Sequence, residues 1–273
     1  MKRKRGWLWP LLGSSALACT VLLLFGFGWA LKDTWSPSAG MALPSPTPAV
    51  PQAGGDWADK PELKAIALGD SLTKGTGDAS GKGYVGDSLT MLSKSLGKPV
   101  RLTGNLAING LEAAKLVQLL DGKAMKDAIA EADVVLLTIG GNDLFRSAQN
   151  GGSIAEGSGV DPALTKSRLP ELEERLKTVF AKIRAVNPQV RIAYIALYNP
   201  FYELKAMRAP LADILDEWNG YAMDLAEADG GIVVVPTVDL FQAQSGLYLS
   251  SDHFHPNGAG YARIAVRVAQ ALY

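Results

Sequence analysis

Histidine and cysteine are almost missing from this chain, which holds two of the first and one of the second in 273 residues. A single cysteine, Cys19, excludes an intrachain disulfide and a cysteine-based metal site. Neither a metal nor a cofactor is expected. Acidic residues are absent before Asp33, and charge of either sign is absent from Gly6 to Leu31. A basic excess is also lacking. Lysine and arginine number 27 against 27 acids, and Lys2, Arg3, Lys4 and Arg5 account for four of those bases. The rest of the chain is mildly acidic, which argues against nucleic acid as a partner, because phosphate contacts need a basic surface. No internal repeat occurs.

Nucleotide-binding motifs are absent too. A phosphate loop requires G-x-x-x-x-G-K-[ST]. The stretch "GDASGKG" from Gly77 is one residue short and places Gly83 where a hydroxyl is needed, and the sixth residue from Gly69 is Lys74. No G-x-G-x-x-G opens a helix.

What the chain does have begins with an apolar run. Gly6 to Leu31 would make roughly 39 Å of helix, enough to span a hydrocarbon core of about 30 Å. Trp7, Trp9 and Trp29 fall near its ends, where aromatic rings favour the membrane interface. Residues 1–31 are therefore expected to be an uncleaved anchor, with the KRKR cluster cytoplasmic and the remainder outside. A signal peptide cleaved after Ala18 or Ala30 is the alternative. Lipid attachment at Cys19 fits less well, because ten more apolar residues follow it. Residues 32–60 read as a tether, with five prolines from Pro37 to Pro51 among Ser, Thr, Ala and Gly.

From residue 61 to 273 short apolar runs alternate with helical patterns. The runs are Leu63–Leu68, Val100–Asn105, Val134–Ile139, Val190–Leu197 and Ile232–Val235, each read as a strand covered on both faces. Leu172, Leu176, Val179, Phe180 and Ile183 form one stripe of a helix that should stop at Asn187-Pro188. Tyr261, Ile264, Val268 and Leu272 do the same for the last helix. Five strands alternating with helices predict an α/β fold, a three-layer α/β/α sandwich around a mainly parallel sheet. Active residues in such sheets gather at the carboxyl ends of the strands.

Four polar clusters stand there: Gly69-Asp70-Ser71-Leu72, "NLAING" ending at Gly110, Gly140-Gly141-Asn142-Asp143, and "SDHFHPNG" with Asp252, His253 and His255. If Ser71 is a nucleophile activated by an ordinary general base, that base is one of the two histidines. Asp252 precedes His255 by three residues, a spacing that at a helix start puts carboxylate beside imidazole. His253 adjoins Asp252, so their side chains should diverge. Each cluster alone has a bland reading, such as a turn, a cap or a left-handed Asn. Their joint order does not.

At this point the chain resembles the GDSL or SGNH hydrolases, over about residues 63 to 273. Block one is Gly69 to Leu72, block two centres on Gly110, block three is Gly140 to Asp143, and block four is Asp252 to His255. The resemblance implies the flavodoxin-like SGNH fold and a Ser71–His255–Asp252 triad. It also implies an oxyanion hole formed by the Ser71 and Gly110 N–H groups and the Asn142 amide. It implies a serine esterase acting on a small-molecule or lipid ester, lysophospholipids included; the charge pattern of the first 31 residues places it outside the cytoplasm, and a monomer is expected. A deacetylase of wall or capsule polysaccharide is the alternative within the same chemistry, and a non-catalytic binding module lies outside it. Two segments are expected near the pocket. Residues 146–167 are polar and glycine-rich, a flap or a solvated loop, and residues 198–210 bring Phe201, Tyr202 and Met207 to the same edge.

Overall fold

The computed structural model describes residues 8–35, 57–146, 160–242 and 244–273. The KRKR cluster, most of the expected tether and residues 147–159 of the expected flap lie outside these. The chain divides into two units, Met1–Ala49 and Val50–Tyr273.

The first unit is one helix, α1 (Leu8–Trp35). Pro10 falls in its first turn, where a missing N–H costs nothing. The 22 residues Trp9–Ala30 are apolar and long enough to cross a membrane. Three of its hydroxyls are satisfied within the helix: Ser14, Ser15 and Thr20 donate to the carbonyls of Leu11, Leu12 and Ala16. That pairing lowers the cost of placing them in hydrocarbon, where no water is available.

The second unit is built from five strands: β1 (Leu63–Gly69), β2 (Val100–Asn105), β3 (Val134–Thr138), β4 (Arg191–Ile195) and β5 (Ile232–Val235). Every pairing is parallel, in the order β2-β1-β3-β4-β5. The expected three-layer α/β fold is what forms. Period-two alternation divides each strand between two cores. Ile66, Leu68, Val135, Leu137, Ile192 and Tyr194 face one helical layer. Ala65, Ala67, Val134, Leu136, Ala193 and Ile195 face the other. The first layer holds α4 (Ala113–Leu119), α5 (Lys123–Ala130), α6 (Pro162–Val186) and α7 (Lys205–Asp229). The second holds α3 (Val85–Leu96), the short α8 (Val238–Gln242) and α10 (Gly258–Leu272). The predicted stripes of α6 and α10 are buried throughout.

Three expectations needed adjustment. β2 is an edge strand, with Arg101, Leu102 and Thr103 exposed, so it is not covered on both faces. β3 and β4 end earlier than their apolar runs, because the buried residues beyond them, Ile139, Ala196 and Leu197, lie past the ends of the strands. The polar stretch up to residue 167 is not all loop: α6 begins at Pro162, where Asp161 accepts from the N–H groups of Ala163 and Leu164. Thr165 there is buried, and its hydroxyl donates to the carbonyls of Leu144 and Asp161. The helix also runs through Pro170.

One close approach fixes the sheet's carboxyl edge. Gly69 pairs with Thr138 and adopts a φ of 124°. A Cβ at this position would lie 1.9 Å from the Thr138 carbonyl oxygen. Gly69→Ala therefore combines a strained backbone with overpacking and is expected to destabilise the domain by roughly 3–5 kcal/mol. Urea unfolding beside the unaltered protein checks this, and a loss below about 1 kcal/mol would contradict the close approach.

Candidate active site

β1 ends at Gly69 and the chain turns at once into α2 (Ser71–Lys74). Asp70 caps this short helix, its carboxylate accepting from the Leu72 N–H at 3.1 Å, while its own N–H donates to the Thr138 carbonyl at 3.1 Å. Ser71 thus takes the first position of a sharp strand-to-helix turn, and it is buried.

Behind Ser71 lies a line of hydroxyls. Thr138 Oγ1 donates to Asp70 Oδ1 at 2.6 Å and stands 2.8 Å from Thr73 Oγ1, which in turn stands 2.7 Å from the Tyr84 hydroxyl. A carboxylate only accepts, so the protons run one way, from Tyr84 through Thr73 and Thr138 toward Asp70. Burial pushes the Asp70 carboxyl up, against the pull of Thr138, the Leu72 N–H and the nearby His255.

The carboxyl-terminal loop meets Ser71 from the other side. His255 Nε2 is 2.8 Å from Ser71 Oγ, and His255 Nδ1 is 2.6 Å from Asp252 Oδ2. With Asp252 ionised, Nδ1 carries the ring proton and Nε2 is free to accept from the serine hydroxyl. Partial burial works against the Asp252 anion. Hydrogen bonds from His255, Ser250 and the Phe254 and His255 N–H groups outweigh it and hold the carboxyl at about 2. The three-residue spacing works differently from the sequence expectation. No helix begins here, since α10 starts only at Gly258. Asp252 Oδ1 instead accepts from both the Phe254 and His255 N–H groups at 2.9 Å and folds a tight turn around its own carboxylate. His253 takes a left-handed φ of 55° in that turn, and its exposed imidazole stays out of the relay.

Gly110 and Asn142 arrive on neighbouring loops. Ile108 N–H donates to the Gly69 carbonyl at 2.9 Å, tying the segment after β2 to the end of β1. Asn142 opens a single π-helical turn, Asn142–Arg146, and its Nδ2 donates to the Leu111 carbonyl at 3.0 Å. That bond uses one amide proton and leaves the second available. Asp143 accepts from the Ala113 N–H with both oxygens, at 3.1 and 2.9 Å. Burial pushes Asp143 up to about 6, against the Ala113 bond and Arg175, whose guanidinium is 3.8 Å away. Ser71, His255 and Asp252 are thus joined directly, while Gly110 and Asn142 are joined through Leu111 and held beside β1.

Sequence reasoning missed several supporting groups. Ser250 donates to Asp252 Oδ1 at 2.7 Å, Tyr198 OH donates to the Phe254 carbonyl at 2.7 Å, and Thr138 supports Asp70. Gly77 belongs with them, since a Cβ there would lie 2.8 Å from the His255 Cβ. Only Ser250-x-Asp252 carried a legible signal, that of a polar turn; the others depend on contacts between distant segments.

The parallel sheet with this cluster at its carboxyl edge can be set beside known proteins. Residues 67–263 match the GDSL-like lipase/acylhydrolase family. The chain belongs to that family, and it is a hydrolase. It is 33% identical over 216 residues to Uncharacterized protein YpmR of Bacillus subtilis (strain 168), spanning 78% of this chain and 82% of that one. Spore germination lipase LipC of Bacillus licheniformis is 27% identical over 219 residues, spanning 77% and 97%. Among solved structures, the lipase Lip_vut3 from a goat rumen metagenome superposes with a TM-score of 0.63 at 26% identity, over 77% of this chain and 98% of its own.

The geometry separates the two histidines. His255→Ala is expected to lower kcat on a soluble ester roughly a thousandfold further than His253→Ala, since only His255 touches Ser71 and Asp252. Reversed or equal losses in steady-state kinetics would remove His255 as the base.

Asp143 generates a stability test. Its folded-state value near 6 lies above the ordinary carboxylate value of about 4. Between these pH values the folded protein binds the extra proton, so this group's contribution falls as pH rises from about 4 to 6, by up to about 3 kcal/mol. Asp143→Asn keeps an acceptor for Ala113 N–H but cannot titrate. Its unfolding free energy relative to the unaltered protein should therefore rise between pH 4.5 and 7.5, as read by urea titration. A difference independent of pH would mean that Asp143 is not perturbed.

Proposed function

We propose that this protein is a membrane-tethered serine esterase whose nucleophile is Ser71, with His255 as general base and acid and Asp252 as its orienting carboxylate. The observation that carries the reading is the continuous pair of hydrogen bonds from Ser71 Oγ through the His255 ring to Asp252, at 2.8 and 2.6 Å. In the first step Ser71 Oγ attacks the ester carbonyl carbon, and its proton moves to His255 Nε2. The imidazolium is held by the Asp252 anion. Charge developing on the carbonyl oxygen is taken up by the Ser71 and Gly110 N–H groups and the second amide proton of Asn142. Such donors are each worth about 3 kcal/mol in the transition state. Collapse breaks the ester C–O bond, and His255 returns the proton to the departing alkoxide. Water, deprotonated by the same ring, then cleaves the acyl-enzyme and releases the acid.

The substrate class favoured is a carboxylic ester of lipid or lysophospholipid type. Two features support it: an apolar helix able to hold the enzyme at a bilayer, and a phenylalanine pair, Phe254 against the His255 ring and Phe201 behind it. In this reading residues 1–31 anchor the chain with its amino terminus cytoplasmic, residues 32–60 tether it, and residues 61–273 form the hydrolase domain outside.

Turnover of nitrophenyl esters of increasing chain length, run beside an acetylated glycan, tests the assignment. Longer esters should be preferred, and Ser71→Ala should lose nearly all activity while unfolding normally in urea. Near-normal turnover by folded Ser71→Ala ends the serine mechanism, and preference for the glycan ends the lipid reading. A fragment starting at Asp56 should match the full chain on a soluble ester but fall behind on membrane-embedded substrate, because only local concentration differs. Equal loss on both would place residues before 56 within the fold.

A further inference from the structure

In the proposed mechanism the Ser71 and Gly110 N–H groups meet one oxygen, yet they belong to separate segments. On the inner side a backbone bond joins those segments: the Ile108 N–H donates to the Gly69 carbonyl at 2.9 Å. Beyond it the chain from Ile108 to Leu111 makes a turn, closed by the Leu111 N–H on the Ile108 carbonyl at 3.1 Å. Gly110 takes a φ of 74° there and Asn109 keeps an ordinary one, the pattern of a type II turn. The peptide joining Asn109 to Gly110 is the one whose half-rotation would convert type II into type I. Its N–H is the Gly110 donor. A turn free to rock or flip would lose that donor first.

On the outer side a bond between side chains holds the same turn. Thr76 Oγ1 donates to Asn109 Oδ1 at 3.1 Å, between residues 33 positions apart. Thr76 is itself fixed to the segment that carries Ser71. Its N–H donates to the Ser71 carbonyl at 3.0 Å, and its carbonyl accepts from the Tyr261 hydroxyl at 2.7 Å. Gly77, next along, fits against the loop between α9 (Ser245–Tyr248) and α10 so closely that a Cβ would lie 2.6 Å from the Pro256 carbonyl oxygen. Three links therefore run from Ser71 to Gly110: a backbone bond, a side-chain bond and one peptide. Asn142 is drawn in as well, because its amide is held by the Leu111 carbonyl at the end of the turn.

The core does not need this pair. Asn109 is exposed and Thr76 is half-buried. A single neutral bond at a surface adds little to stability. Its place, between the two segments that carry the backbone donors, is where it can matter.

We propose that Thr76 and Asn109 are positioning residues that hold the Gly110 N–H toward the oxygen on which charge develops. They touch neither the substrate nor the reacting atoms. The proposal rests on the esterase reading above and adds the device that sets the spacing of its donors. Donors aimed before the reaction lower the barrier, whereas donors that must be ordered during it do not. Breaking the tie should cost turnover about fivefold, the scale of one neutral hydrogen bond.

The experiment uses the full-length enzyme, in one detergent, with 4-nitrophenyl butyrate. Thr76→Val and Asn109→Ala are each expected to lower kcat/KM about fivefold, and the double variant no more than about eightfold, since both remove the same bond. Thr76→Ser keeps the hydroxyl and should stay within twofold of the unaltered enzyme. Inhibition separates positioning from general loosening. A trifluoromethyl ketone accepts Ser71 Oγ at its carbonyl carbon, the serine proton passes to His255, and the former carbonyl oxygen becomes an anion held by the donors. Its Ki should rise about fivefold in both single variants, the same bond being lost. The Ki of the corresponding alcohol, which forms no adduct, should not change. The proposal is overturned, with the esterase left standing, by losses that multiply in the double variant or by equal weakening of ketone and alcohol. Single variants within twofold of the unaltered enzyme, or a Thr76→Ser as slow as Thr76→Val, overturn it too. If Asn109→Ala melts at a lower temperature, Thr76→Val against Thr76→Ser decides alone. An unaltered enzyme inert toward nitrophenyl esters of every chain length overturns the esterase reading, and the positioning roles with it.

Discussion

The whole active edge hangs on the contact between the ends of β1 and β3. Gly69 and Thr138 lie so close that no side chain fits between them, and the Thr138 carbonyl takes the Asp70 N–H. This single approach sets the direction in which the chain leaves β1. Asp70 can then cap α2, and Ser71 emerges at the top of the turn. The same residue, Thr138, donates its hydroxyl to Asp70, so the floor under Ser71 is a strand pairing and a side-chain bond made by one neighbour. Two residues further, Gly140 begins the turn that delivers Asn142. Ser71 and Asn142 are thereby referred to the same pair of strands, where backbone hydrogen bonding leaves little freedom.

Three buried or half-buried carboxylates stand near this edge, and their surroundings give them different work. Asp252 gathers four hydrogen bonds and stays ionised down to about pH 2, which suits its place beside the His255 ring. Asp70 is fully enclosed, its burial opposed by a one-way line of hydroxyls from Tyr84. It orders the turn and touches neither reacting proton. Asp143 holds the Ala113 N–H and so fixes the segment that follows Gly110. Charge near a serine is easily mistaken for catalytic charge. Here the bond to His255 Nδ1 distinguishes Asp252 from the other two.

Much of this was legible in the chain itself. Five apolar runs marked the strands because strands covered on both faces must be apolar throughout, and of the two edge strands β2, exposed at Arg101 to Thr103, departed from that rule while β5 kept it. The four polar clusters were legible because each sits where an apolar run stops. What escaped was non-local. The hydroxyl line through Thr73, Thr138 and Tyr84 joins residues up to 65 positions apart. Nothing at Thr138 marks it as more than the last residue of a strand. The start of α6 escaped for a different reason: a polar first turn hid a helix whose cap, Asp161, lay in a stretch read as loop. Local signals describe elements well, and they describe the contacts between elements poorly.

The proposed relay has two halves that form in different ways. Asp252 and His255 are set by a turn needing only residues 248–257. Asp252 Oδ1 gathers two N–H groups, Ser250 N–H donates to the His255 carbonyl at 2.8 Å, and Leu249 bridges to Pro256. Carboxylate and imidazole are therefore paired by local geometry. Ser71 is 184 residues away, and nothing local holds it at His255. It gets there because α10 lies across the sheet. Tyr261, on that helix, donates to the Thr76 carbonyl at 2.7 Å, and the bare α-carbon of Gly77 lets the segment after α2 settle against His255. Ordering entropy for the carboxylate–imidazole pair is met within one short loop, whereas the serine contact draws on the packing of the entire domain. Distortion far from the site should accordingly open the Ser71–His255 distance first and leave the Asp252–His255 pair standing.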